Sequence, residues 1–114
     1  VNALLVLSEA PYGTDRVYNA LRLAAALQAR SQVRLFLMCD AVGAALDGQA
    51  SPDPDQNLGA RLVALMAGGA RVKVCGLCLE TRGMHGSKLS PGVEVGTMPE
   101  LAAWIEESDR IVTL

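Results

Sequence analysis

Short, fully apolar runs along this chain alternate with longer stretches in which apolar side chains recur every three to four residues. Ala3-Leu4-Leu5-Val6-Leu7 is the first such run, within a strand predicted over Asn2 to Ser8. Runs this short, without polar alternation, mark strands covered on both faces. Glu9 to Gly13 forms a loop, after which Thr14 or Asp15 is placed to cap a helix by accepting from free backbone N–H groups. Val17, Leu21, Ala24 and Leu27 give this helix its apolar stripe, widened by Ala20 and Leu23, and it ends near Ala29-Arg30. Val33 to Met38 is the second strand, closed by Cys39-Asp40. Asp40 then caps a short helix over Ala41 to Leu46, which Gly48 stops.

Gln49 to Gln56 holds Pro52 and Pro54 among Ser and Asp, the pattern of a flexible loop. The next helix covers Leu58 to Ala67, with Leu58, Leu62 and Leu65-Met66 on one face, and ends at Gly68-Gly69. Ala70 to Cys75 is the third strand, with Arg71 and Lys73 decorating its start. A helical turn follows over residues 78–84, and His85 to Pro91 is loop. Val93 to Val95 is a short fourth strand. Thr97 caps a helix over Pro99 to Glu107, with Pro99 inside its first turn and Glu100 at the capping-box position. Leu101, Trp104 and Ile105 form its core face, and Ile111 to Leu114 is the closing strand. The order β-α-β-α-α-β-β-α-β, with aliphatic strands, predicts an α/β domain: a parallel sheet with helices on both faces. The 114 residues suit a single domain over 1–114, with no internal repeat.

Composition narrows the function classes. The formal net charge of −2 provides no broad basic field for nucleic acid or an anionic membrane. No apolar run approaches the roughly 20 residues of a membrane-spanning helix. Val1 to Leu5 has neither the basic region nor the cleavage site of a secretory leader, and three cysteines make no disulfide scaffold, so a reducing cytoplasm is expected. Hydrophobic residues make up 51% of the chain while aromatics make up only 4%. A small domain has too much surface to hide that aliphatic content easily, so a homo-oligomer is expected.

The chemistry concentrates in Val72-Lys73-Val74-Cys75-Gly76-Leu77-Cys78, followed by Arg82-Gly83. Cys75 and Cys78 sit where a parallel strand ends, and in open α/β sheets sites gather at that edge. A thiol acts as a nucleophile through its thiolate, which helix N–H groups or a nearby Arg stabilise. Cys75, nearest the strand end, is placed to gain most from such N–H groups, and Arg82 to hold an anionic sulfur. Gly76 and Gly83 permit close backbone approach to a bound group.

Other readings compete. One is that both cysteines are small buried hydrophobes, which a Cys-x-x-Cys at a strand end favours less than lone cysteines would. Cys-x-x-Cys is half a zinc site, which only Cys39 and His85 could complete, without matching spacing, so no metal is expected. A thioredoxin site would place the pair earlier, ahead of a long helix. Tyr12 and the N–H groups at Gly13 to Asp15 are candidates to line a site in the loop after the first strand. That loop lacks both phosphate-loop signatures, and a capped helix start explains it better. His85 is either an acid or base near the thiols or an exposed loop residue. Cys39 reads as a buried strand-end cysteine.

Several segments together resemble the YchN-like branch of the DsrE/DsrF/TusD sulfur-relay family, over nearly the whole length. They are Ala10-Pro11-Tyr12-Gly13, Asn19 to Ala24, Leu35 to Met38 with Asp40-Ala41-Val42, Val72 to Cys75 with Cys78, Arg82-Gly83, and Gly92 to Thr97. The resemblance implies a three-layer α/β/α sandwich with a mainly parallel five-stranded sheet in a flavodoxin-like arrangement. It also implies homotrimers, or homohexamers of paired trimers. In such relays a persulfide rides on a cysteine after the third major strand. Cys75 matches that position, counted back from Arg82-Gly83, and Cys78 matches a second cysteine of the YchN-like branch. Cys39 matches no functional position of the family. The function implied is a sulfurtransferase-like carrier: Cys75 takes sulfane sulfur from a donor protein and passes it to an acceptor thiol, without an organic cofactor. The alternative is an oligomeric redox-sensing module in which Cys75 and Cys78 only close and open a disulfide.

Overall fold

The apolar runs pair into one sheet. The computed structural model describes residues 1–114 and contains β1 (Asn2–Leu7), β2 (Gln32–Leu37), β3 (Arg71–Cys75), β4 (Glu94–Gly96) and β5 (Arg110–Thr113). Their order is β4-β3-β2-β1-β5, and every neighbouring pair is parallel. Four α-helices connect them: α1 (Arg16–Leu27), α2 (Leu58–Ala67), α3 (Gly76–Thr81) and α4 (Met98–Glu107). Right-handed crossovers fix the layers. From β1 to β4 the chain steps one way across the sheet, which puts α1, α2 and α3 on one face. The return from β4 to β5 runs the other way and puts α4 alone on the opposite face. The result is a three-layer α/β/α sandwich with an all-parallel sheet.

The core lies between the sheet and both helical layers. Leu5, Leu7, Leu35, Leu37, Val72 and Val74 are fully or almost fully buried, as are Val17 and Leu21 of α1 and Leu58 and Leu62 of α2. On the α4 side Trp104 meets Phe36 edge-on, with ring centroids 6.4 Å apart. No helix is long and apolar enough to cross a membrane.

Local details depart from the sequence pattern for identifiable reasons. Leu23 and Ile105, expected on core faces, are 39% and 42% exposed. In α4 the sheet is met by Leu101 and Trp104, three residues apart, which turns Ile105 outward. Asp15 occupies the α1 cap position without a side-chain cap bond, and Thr14 Oγ1 accepts from Arg16 N–H at 3.4 Å. The segment Cys39–Ala45 is a 3-10 helix that begins at Cys39, and Asp40 does not cap it. The 49–56 loop contains a 3-10 turn, Pro54–Gln56, capped by Asp53. Gln49 ties the loop down by donating to the carbonyls of Ala44 and Leu46 at 2.8 and 2.7 Å. Asn57, overlooked as a cap, accepts from Ala60 N–H at 3.0 Å and starts α2. Lys73 is not surface decoration: it is buried beneath α4 and paired with Glu100.

Candidate functional site

Register brings the carboxyl ends of three strands together. Leu37 lies beside Val74, and Cys75 beside Gly96. Met38-Cys39, Cys75 and Gly96-Thr97 therefore emerge at one edge of the sheet. Cys75 is both the last residue of β3 and the cap of α3, its Sγ accepting from the backbone N–H of Cys78 at 3.3 Å. The helix starts at Gly76, two residues earlier than the pattern suggests, so Cys78 sits inside its first turn. The Cys-x-x-Cys spacing thus places one thiol at the cap and the other on the turn that the cap holds.

All three cysteines are free thiols. Cys75 is 4% exposed, while Cys78 and Cys39 are half-buried. Backbone N–H groups do face Cys75, as expected, but they do not dominate. Burial, then the neighbouring Cys78 side chain, push the Cys75 thiol above its ordinary 9.0, against the pull of the N–H groups of Cys78 and Leu77. The Cys78 sulfur has its own main-chain donor, the N–H of Cys39, at 3.2 Å.

Arg82 is near the thiols but bonds to no sulfur. Its Nε donates to Asp40 Oδ1 at 2.8 Å, and its Nη1 to the Cys78 carbonyl at 3.3 Å. The Asp40 carboxylate chiefly raises the Arg82 pKa, and the charges of Cys78 and Cys39 add to this through space. Arg82 is thus a strut between α3 and the residues after β2, acting on sulfur only at range. Gly76 makes room for protein, because a Cβ there would lie 3.0 Å from Val95 Cγ1. Gly83, at φ +69°, serves the left-handed end of α3.

Tyr12 and Gly13 do not join the cysteines. The Tyr12 hydroxyl donates to Gln49 and accepts from Leu58 N–H at 3.2 Å, lining a separate hollow with Gln49 to Pro52. Gly13, at φ +93°, makes the turn before α1. His85 is exposed in its loop, with Nδ1 4.0 Å from Glu80. Cys39, Cys75, Cys78 and His85 do not converge as a ligand set, and no three His, Cys, Asp or Glu side chains adopt a metal-holding arrangement.

Cys75 and Cys78 line a pocket of about 580 Å³. Met38, Leu77, Val95 and Met98 supply its apolar wall, and Glu80 is its only charged lining residue. Leu77, Val95 and Met98 are 68%, 57% and 47% exposed, so the mouth is an apolar rim. Gly96 and Thr97 complete the wall together with Gly76, which the sequence places at the site. Local sequence pattern does not mark Met38, Val95 or Met98 as lining residues, since each reads as an ordinary apolar position. The signal for Gly96-Thr97 was present, since a fourth parallel strand must end on the same edge as Cys75. An apolar lining with a single carboxylate disfavours capture of a small, highly charged anion.

Relatives share this architecture. The model of the DsrE/DsrF-like family matches residues 2–114. Protein YchN of Escherichia coli (strain K12) is 42% identical over 113 residues, covering 96% of both chains. An uncharacterized protein of Methanopyrus kandleri, MK0008, is 41% identical over 95% of this chain and 89% of its own. The crystal structure of the ychN protein from E. coli superposes with a TM-score of 0.93 at 40% identity, covering 99% of this chain and 98% of that one. A protein of unknown function from Methanobacterium thermoautotrophicum, MTH1491, shares the fold at 16% identity with a TM-score of 0.81, over 99% of this chain and 98% of that one. In sequence over nearly its full length, and in fold, the chain belongs to the DsrE/DsrF-like family.

Proposed function

We propose that this protein carries sulfane sulfur as a persulfide on Cys75 and passes it to a thiol of a partner protein. The observation that carries the reading is the pairing of two free thiols in the lining of an apolar pocket on the strand-end edge. Membership of a family associated with sulfur relay supports it. Burial shields a sulfur held on Cys75 from bulk reductants, and the apolar rim gives a partner a surface to dock on. Persulfide exchange needs no organic cofactor and no metal, because the bonds broken and formed are all between sulfurs. The reading includes a homotrimer or homohexamer, supported by apolar side chains exposed away from the pocket, Val63, Ile105 and Ile111 among them, and a reducing, cytoplasmic setting. Light-scattering chromatography tests the assembly: a trimer or hexamer mass is expected, and a sharp monomer peak at physiological salt contradicts it.

The adjacency of Cys75 and Cys78 also favours a second reading, a dithiol switch without net sulfur transfer. Donor treatment separates the two. Reduced protein is incubated with a low-molecular-weight persulfide, freed of excess, alkylated and mapped by fragment-ion mass spectrometry. Retained sulfur on the 74–82 peptide supports the carrier. A Cys75–Cys78 disulfide with no retained sulfur supports the switch.

A further inference from the structure

Cys39 is the only residue other than glycine with a positive φ, +53°. A side chain in the left-handed region is strained, and such strain persists only where the surroundings impose it. At Cys39 the effect of that backbone turn is specific. It follows the end of β2 and aims the Cys39 N–H at Cys78 Sγ, 3.2 Å away. The next residue, Asp40, holds Arg82, whose Nη1 in turn holds the Cys78 carbonyl. Two consecutive residues after β2 therefore grip the turn that carries Cys78, one at its sulfur and one through Arg82. Cys75 lies deeper, and its Sγ accepts from the N–H of Cys78.

We propose that sulfur enters this site through Cys78, with the Cys39 N–H supporting negative charge on that sulfur, and then moves inward to Cys75. The proposal rests on the carrier reading above and adds an order to it. In the first step the Cys78 thiolate attacks the outer sulfur of a partner's persulfide. The donor S–S bond breaks, Cys78 gains a persulfide and the partner leaves as a thiolate. In the second step Cys75 attacks the outer sulfur of that persulfide. Its S–S bond to Cys78 breaks, a new S–S bond to Cys75 forms, and the Cys75 proton passes to Cys78. The sulfane sulfur keeps its oxidation state throughout, so no oxidant or reductant is consumed. The Cys39 N–H faces the sulfur that is the nucleophile in the first step and the leaving group in the second. A donated hydrogen bond favours a departing thiolate. Cys39 is a positioning residue, acting through its backbone.

Rapid-quench loading tests the order. Cysteine persulfide is mixed with the reduced protein, the reaction is stopped with an alkylating reagent, and sulfur is located by fragment ions. Sulfur is expected first on Cys78 and later on Cys75. Cys75→Ser is expected to trap it on Cys78, and Cys78→Ser to load Cys75 about tenfold more slowly. A Cys78→Ser protein that loads Cys75 at the wild-type rate overturns the order while leaving the carrier reading standing. Absence of sulfur from both cysteines of the wild-type protein overturns both. For Cys39, Cys39→Val disfavours the left-handed backbone and is expected to slow alkylation of Cys78 several-fold, while the conservative Cys39→Gly rescues it. Equal Cys78 alkylation rates in folded Cys39→Val, checked by circular dichroism, overturn the role of this N–H.

Discussion

Lys73 Nζ lies 2.5 Å from Glu100 Oε2, joining the buried side of β3 to the first turn of α4. The Trp104 ring lies over the same ammonium, 4.9 Å from Nζ to its centroid. Glu100 also accepts from Thr97 Oγ1 at 3.1 Å, while Thr97 Oγ1 accepts from the Glu100 backbone N–H at 3.3 Å. This chain of contacts fixes the start of α4, and with it Thr97 and Met98 in the pocket wall. It also explains why Glu100 does not close a full capping box: its carboxylate turns to Lys73 instead of the Thr97 backbone.

The pair predicts an acid limb in stability. Lys73, then Thr97, hold the Glu100 carboxyl below its ordinary 4.5. A carboxyl depressed in the folded state adds stability above its unfolded pKa, and that stability is lost as pH falls through the folded value. Urea midpoints of wild type are expected to drop between about pH 5 and pH 3 more steeply than those of Glu100→Gln. Parallel curves would remove Glu100 from the account. At neutral pH Glu100→Gln is expected to cost more than Lys73→Met, because only the first leaves a buried ammonium without its counter-charge.

Cys75 predicts an alkaline limb of opposite sense. Its thiol is raised above 9.0 in the folded protein, so the folded state retains a proton that the unfolded chain has lost. Stability is therefore full below pH 9.0 and declines as pH rises through the folded value. Cys75→Ala is expected to flatten the urea midpoint against pH as pH rises above 9.0, whatever it does to the midpoint itself. An unchanged slope would mean that burial does not govern this thiol.

Asn57 predicts a plain helix-cap effect. It caps α2 and also donates from Nδ2 to the Gln49 carbonyl at 2.8 Å. Asn57→Ala is expected to cost about 1 kcal/mol in urea unfolding, with no change in thiol alkylation. A cost near zero would contradict the capping geometry.

Gly96 links packing to access. A Cβ there would lie 3.0 Å from the Phe36 ring and 3.2 Å from the Lys73 stem. In Gly96→Ala the Phe36 ring, the Lys73 stem or β4 itself must give by a few tenths of an ångström, at an overpacking cost of about 1–3 kcal/mol. Because Gly96 walls the pocket beside Cys75, the same variant is expected to speed alkylation of Cys75. Destabilisation without faster alkylation would separate the wall from access to the thiol.

The strand and helix order was legible because unbroken aliphatic runs and three- to four-residue stripes carry it directly. Cys75 and Cys78 were legible too, since a Cys-x-x-Cys after a predicted parallel strand must lie on the site edge. What local pattern could not show was pairing across the fold. Asp40 followed an apparent strand end like any cap, yet its partner is Arg82, forty-two positions on. Lys73 looked like surface because nothing nearby in sequence announces Glu100. Tyr12 preceded a helix in a loop that hosts ligands in other α/β folds, but here its hydroxyl is engaged by Gln49 and Leu58. The left-handed turn at Cys39 had no glycine or asparagine to announce it.

Whether Cys75 holds a sulfane sulfur is decided by intact-mass spectrometry of the reduced protein after persulfide treatment and removal of excess donor. A gain of whole sulfur atoms is expected, localised by fragmentation to Cys75 and reversed by a thiol reductant once the protein is unfolded. Loss of two hydrogens with no retained sulfur would contradict it and leave the dithiol switch as the function of this pair.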